Sequence, residues 1–123
     1  MRIGEVTAAK EAIVKLTVHG PDGQQLEVSA VLDTGYTEYV TLPPSAISAL
    51  SLPYQYSLPM YLADGNVIRV RVFDAVVHWI GQNRSIPIQE TDGDVLLGMS
   101  LLYGSRLIVD VLDGGDVAVS DMP

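Results

Sequence analysis

Along most of this chain apolar and polar residues alternate with a period of two, the pattern of strands and not of helices. Val14, Leu16 and Val18 alternate with Lys15, Thr17 and His19, and Leu26, Val28, Ala30 and Leu32 alternate with Gln25, Glu27 and Ser29. The turn signal Gly20-Pro21-Asp22-Gly23 lies between them, which predicts a β-hairpin. Residues 39–42 are a short β-prone segment. Pro43-Pro44 suits the first turn of a helix over residues 45–50, and Pro53 closes it. Residues 54–62 read as extended, Ala63-Asp64-Gly65-Asn66 as a turn, and residues 67–80 as the longest strand. The alternation loses its phase near Phe73-Asp74, so a bend or bulge is expected there.

A third turn at Gly81-Gln82-Asn83-Arg84 precedes a strand over residues 85–89, which Pro87 marks as an edge or bulged strand. Thr91-Asp92-Gly93-Asp94 is a loop. Val95-Leu96-Leu97 is a short buried strand ending at Gly98, and residues 99–103 have room for one helical turn. Residues 107–112 and 117–119 flank Asp113-Gly114-Gly115-Asp116 as a last hairpin. The sum is an all-β chain with one or two short helices and no internal repeat, linker or low-complexity tract.

The length of 123 residues fits one domain over residues 1–123. There are no cysteines, so disulfides, thiol nucleophiles and Cys-based zinc sites are excluded. His19 and His78 are too few for a histidine-based metal site. The net charge of -8 argues against a nucleic-acid surface, which needs clustered Lys and Arg. No apolar run approaches the ~20 residues of a membrane-spanning helix. The first ten residues have no apolar core of a signal peptide, and Met1 suggests a complete product. The expectation is a cytoplasmic protein with no metal, no cofactor, no nucleic-acid partner and no membrane partner.

The chemistry concentrates at Val31-Leu32-Asp33-Thr34-Gly35, a carboxylate at the end of an apolar strand just before a Thr-Gly turn. Alone, such a triplet is most often a turn Asp that caps its own backbone. Its context is more specific. A hairpin precedes it, a short extended segment and a Pro-started helix follow, a Gly-containing turn lies between two later strands, and Leu96-Leu97-Gly98 comes before a second short helix. In that order and spacing the chain resembles the retropepsin-like aspartic proteases, the retroviral-protease-like family and its cellular and bacterial members. Leu32 to Gly35 look like the active-site motif, residues 59–68 like the hairpin flap, and Leu96, Leu97 and Gly98 like the segment packed behind the active-site loop. The stretch 70–77 also looks like the family's strand after the flap.

The resemblance implies a closed acid-protease-type β-barrel, a single-domain half of a pepsin-like fold completed by homodimerisation. It implies an aspartic endopeptidase in which Asp33 is the catalytic carboxylate and Thr34 and Gly35 support the loop. Tyr36 would contact the substrate, and Leu62, Ala63, Asp64, Gly65 and Asn66 would form the flap tip over an extended polypeptide. Peptide hydrolysis without a metal or covalent nucleophile needs two proton-handling groups around one water, and this chain has only one strand–Asp–Thr–Gly context. A two-fold dimer would bring in the second Asp33.

Three positions depart from the family pattern. Tyr36 stands where the family has a small residue. Thr37 and Met99 stand where the retroviral enzymes pair an Asp with an Arg, which points to a cellular or bacterial type. The flap has one glycine, Gly65, instead of several. Tyr36 and the acidic surface keep an alternative in view: a catalytically inactive retropepsin-like dimer that binds peptides or serves assembly. Trp79 is expected in the core or a dimer contact, and His78 on the surface or an interface.

Overall fold

The computed structural model describes residues 1–122. In chain order the elements are β1 (Arg2–Val6), β2 (Ala12–His19), β3 (Gln25–Leu32), β4 (Val40–Leu42), α1 (Pro44–Ala49), β5 (Tyr54–Tyr61), β6 (Val67–Trp79), β7 (Gln82–Glu90), β8 (Leu96–Leu97), α2 (Met99–Leu102), β9 (Ser105–Val109) and β10 (Asp116–Asp121). The chain is mostly β, as the alternation predicts. Sequence reading alone did not anticipate β1, because Arg2, Gly4 and Glu5 interrupt any apolar rhythm. Its strand character comes from its neighbours, since it is held between β2 and β10.

All strands belong to one sheet in the order β5-β6-β7-β4-β8-β3-β2-β1-β10-β9, with an added pairing of β6 to β2. That added pairing bends the six strands from β6 round to β2 into a partial ring, while β5 and the group β1-β10-β9 extend outside it. Two pairings are parallel, β3 with β8 and β4 with β7, and the others are antiparallel. The strands after β3 therefore return to the sheet from both directions around one short segment, β8.

The 13-residue strand β6 organises the ring. Val70 and Val72 are buried, and then burial moves to Phe73, Ala75, Val77 and Trp79. This change of face is the phase loss expected at Phe73-Asp74. Across from it the register of β5 slips between Tyr54 and Tyr56, a bulge in the neighbouring strand. Before the switch β6 pairs with β5, and after it β6 pairs with β7 and β2. The Asp74 N–H donates to Pro53 O at 3.0 Å, which carries the β5–β6 ladder one pair past Tyr54 and Phe73. Pro87 lies opposite Asp74, one residue before β7 gains β4 on its other side, so its missing N–H falls on a stretch with one neighbour.

The core fills the ring. Val14, Leu16 and Val18 meet Val40, Leu42, Ile86, Ile88, Leu97 and Leu101, with Trp79 also buried. The short α1 buries Ala46 and Ile47 against it, and Leu50 and Leu52 seal the exit. Among the described residues no helix is long and apolar enough to cross a membrane.

Candidate active site

The polypeptide reaches Asp33 through the interlocking of two apolar strands. β3 and β8 lie parallel, with Val31 opposite Leu96 and Leu32 opposite Leu97. The Val31 N–H donates to Val95 O at 2.8 Å and the Asp33 N–H to Leu97 O at 2.9 Å, so the ladder carries on to the acid itself. The Asp33 side chain then shapes the turn. Its Oδ1 accepts the Gly35 N–H at 2.8 Å, and its carbonyl accepts the Tyr36 N–H at 3.1 Å. Asp33 is half-buried, with Thr34 and Gly35 exposed beside it. Among the described residues it forms no ion pair. One carboxylate oxygen is thus held by a backbone donor, and no cation neutralises the group.

A second layer fixes this loop from behind. Gly98 N–H donates to Tyr39 O at 2.8 Å, Met99 N–H to Tyr36 O at 2.8 Å and Ser100 N–H to Glu38 O at 3.1 Å. The Ser100 hydroxyl adds a bond to Thr37 O at 2.6 Å. Thr37 and Met99, which lack the ion pair of the retroviral pattern, sit in this web, so backbone bonds and one hydroxyl join the two segments. Gly98 is buried where a Cβ would collide with the Glu38 carbonyl and lie 2.6 Å from the Tyr36 ring. Leu97 is fully buried and Leu96 partly so, beside β3 on the strand that leads to this loop.

Thr41 is the one buried polar residue of the described chain. Its hydroxyl donates to Asp94 O at 3.0 Å and accepts the Leu96 N–H at 2.8 Å. It thereby ties the loop before β8 to β4. A lone hydroxyl between Val40 and Leu42 in a short buried strand was the available signal for it, and sequence reading passed over it.

Tyr36 is half-buried. Its hydroxyl donates to Gln89 Oε1 at 2.8 Å, and burial, with the charge of Glu38 adding to it, pushes the phenol well above its ordinary range. The ring forms one wall of a cleft of ≈ 360 Å³, with Leu96 beside it, Met60 of β5 and Ile68 and Val70 of β6 across from it, and Gln89 between. The Arg71–Glu90 ion pair, at 2.6 Å, lies on its rim. Met60 and Ile68 flank the hairpin tip, so the cleft joins the base of the flap to the active-site loop. Asp33 does not line it, and neither do Leu62, Ala63, Asp64, Gly65 and Asn66.

Those five residues form the hairpin tip between β5 and β6. Leu62 N–H donates to Asn66 O at 2.8 Å and Gly65 N–H to Leu62 O at 3.0 Å. Asp64 accepts both the Asn66 N–H and the Asn66 side-chain amide at 2.9 Å. Gly65 adopts φ +87°, a conformation costly for other residues. The tip is exposed throughout. A larger cavity, ≈ 630 Å³, runs along β1 from Arg2 to Ala8 and contains none of the candidate residues. Trp79 is core, and His78 is exposed, facing Asn83 Oδ1 at 3.2 Å.

No family model matches the chain, and no curated protein matches it either.

Proposed function

We propose that this chain is an aspartic endopeptidase of the retropepsin-like type, active as a homodimer in which Asp33 of each copy faces the same water. The observation that carries the reading is the state of Asp33. It is a half-buried carboxylate at a strand end, held by Gly35 N–H at 2.8 Å and by its own backbone on Leu97, with no ion pair among the described residues. A salt-bridged Asp would already be satisfied. This one has a fixed position and an open coordination, which suits a partner carboxylate.

Two carboxylates about 3 Å apart share one proton. The ionised member takes a proton from water as its oxygen attacks the scissile carbonyl carbon, and the protonated member gives its proton to the carbonyl oxygen. The tetrahedral diol then collapses, the C–N bond breaks, and a proton passes to the leaving nitrogen. On this reading the partial ring is half of a pepsin-like fold, an acid-protease-type barrel that the second copy completes. The substrate is an extended polypeptide under the 62–66 tip, with side chains entering the cleft between Tyr36 and Met60.

The test is a peptide-library cleavage assay on wild type and D33N. Cleavage should fall by about 10³-fold or more in the variant, since it removes the acid–base pair. Equal cleavage by both proteins excludes the mechanism. One observation favours a second reading, a peptide-binding dimer without catalysis: Asp33 stands outside the cleft that Tyr36 lines. Peptides retained by both wild type and D33N, and cut by neither, would select it.

A further inference from the structure

The sheet has two free edges, β5 and β9. A free edge exposes a row of unpaired N–H and C=O groups, and proteins usually blunt it with proline or lysine. β5 carries Pro59, which cannot donate. β9 has neither residue.

The backbone direction of β9 follows from its bonds. Asp110 N–H donates to Asp116 O at 2.9 Å, one residue beyond the strand, and Ile108 lies opposite Ala118. Bonded residues alternate along an antiparallel strand, so Arg106, Ile108 and Asp110 turn their backbone groups toward β10. Ser105, Leu107 and Val109 therefore turn theirs outward. Arg106, Ile108 and Asp110 are exposed, with Ile108 at 52%, and their spacing of two puts them on one face. Neither Arg106 nor Asp110 forms an ion pair within the described residues.

This edge is complementary to itself. Two β9 strands laid antiparallel about a two-fold axis at Ile108 place Arg106 of each copy opposite Asp110 of the other. Leu107 then faces Val109 across the axis, with both of their free backbone groups in position to bond, and the two Ile108 side chains meet at the centre. From this we infer that a second copy of this chain docks on β9 in that register, joining the two sheets into one. The occupant rests on the proposed dimer, which needs a second copy to complete Asp33. The register rests on β9 alone. The strand also starts only seven residues after Gly98, which packs against Tyr36 and Glu38 of the active-site loop.

The chain has no cysteine, so a single one reports cleanly. In the proposed register the two Ile108 residues form a non-hydrogen-bonded pair with Cα atoms about 4.5 Å apart, a separation a disulfide spans. Mild oxidation should convert I108C to a covalent dimer that still cleaves peptide, while V111C, displaced along the strand axis, should remain largely uncrosslinked. In sedimentation, R106D should weaken the dimer about ten-fold or more by setting like charges opposite each other twice, and R106D/D110R should restore it. A wild-type dimer that R106D leaves intact and I108C fails to trap overturns the pairing and leaves the Asp33 reading standing. A trapped I108C dimer that cleaves no peptide overturns the Asp33 reading and leaves the pairing standing. A wild type that stays monomeric at millimolar concentration removes both.

Discussion

At the scale of single residues, the candidate site is held by small polar groups doing backbone work. Thr41 is the clearest case, because its hydroxyl serves Asp94 O and Leu96 N–H at once. Thr41→Val keeps the shape and leaves both backbone groups without a partner, so it should destabilise the protein by about 1–3 kcal/mol, read from the urea midpoint at unchanged slope. Tyr36 gives a dependence on pH. Its phenol is raised in the folded state by burial and by Glu38, and it ionises at about 10 once unfolded. The folded chain therefore holds the proton longer than the unfolded chain, so the stability from this group is complete below pH ~10 and falls as pH rises beyond it. Thermal unfolding between pH 9 and 11.5 should show wild type losing more stability than Tyr36→Phe. Asp33 itself was visible in the sequence, because a carboxylate closing an apolar strand before Thr-Gly is a local pattern. Gln89 and Ser100 were not visible, because each acts on a segment more than 50 residues away in the chain, and the hydroxyl of Thr41 was the one signal passed over.

At the scale of elements, the period-two rhythm carried most of the reading. It located β2 through β8 to within a few residues, and it placed the break in β6 where burial changes face. It failed at β1, whose strand form depends on β2 and β10, and it began β9 two residues late, because Ser105 and Arg106 are polar on an edge. The hairpin tip at 62–66 shows how one side chain sets local order. Asp64 holds both Asn66 groups, and exposure makes those bonds worth little in global stability. Asp64→Ala should accordingly leave the thermal midpoint within about 1 °C and speed amide hydrogen exchange at Asn66 several-fold, a local opening. Unchanged exchange at Asn66 would mean that Gly65 and the backbone alone order the tip.

At the scale of the whole molecule, the proposed mechanism makes a claim about chain count. If each copy brings half of an acid pair, activity depends on association. Once most chains are monomeric, cleavage per milligram should fall in proportion to concentration. A dilution series from micromolar to nanomolar measures this, and a flat series would place the whole activity in one copy. How the strands connect around β8 was not legible from the sequence, since its parallel pairing with β3 and antiparallel pairing with β4 leave no mark on the alternation.

The turnabout at Val72 and Phe73 has a mechanical outcome. The same strand is one arm of the β5–β6 hairpin on one side of that point and a wall of the filled ring on the other. The Asp74 bond to Pro53 O is the last link between the two strands there. Any swing of the tip would bend the hairpin beyond this point, so hydrogen exchange should be faster in β5 and residues 67–71 of β6 than in residues 75–79.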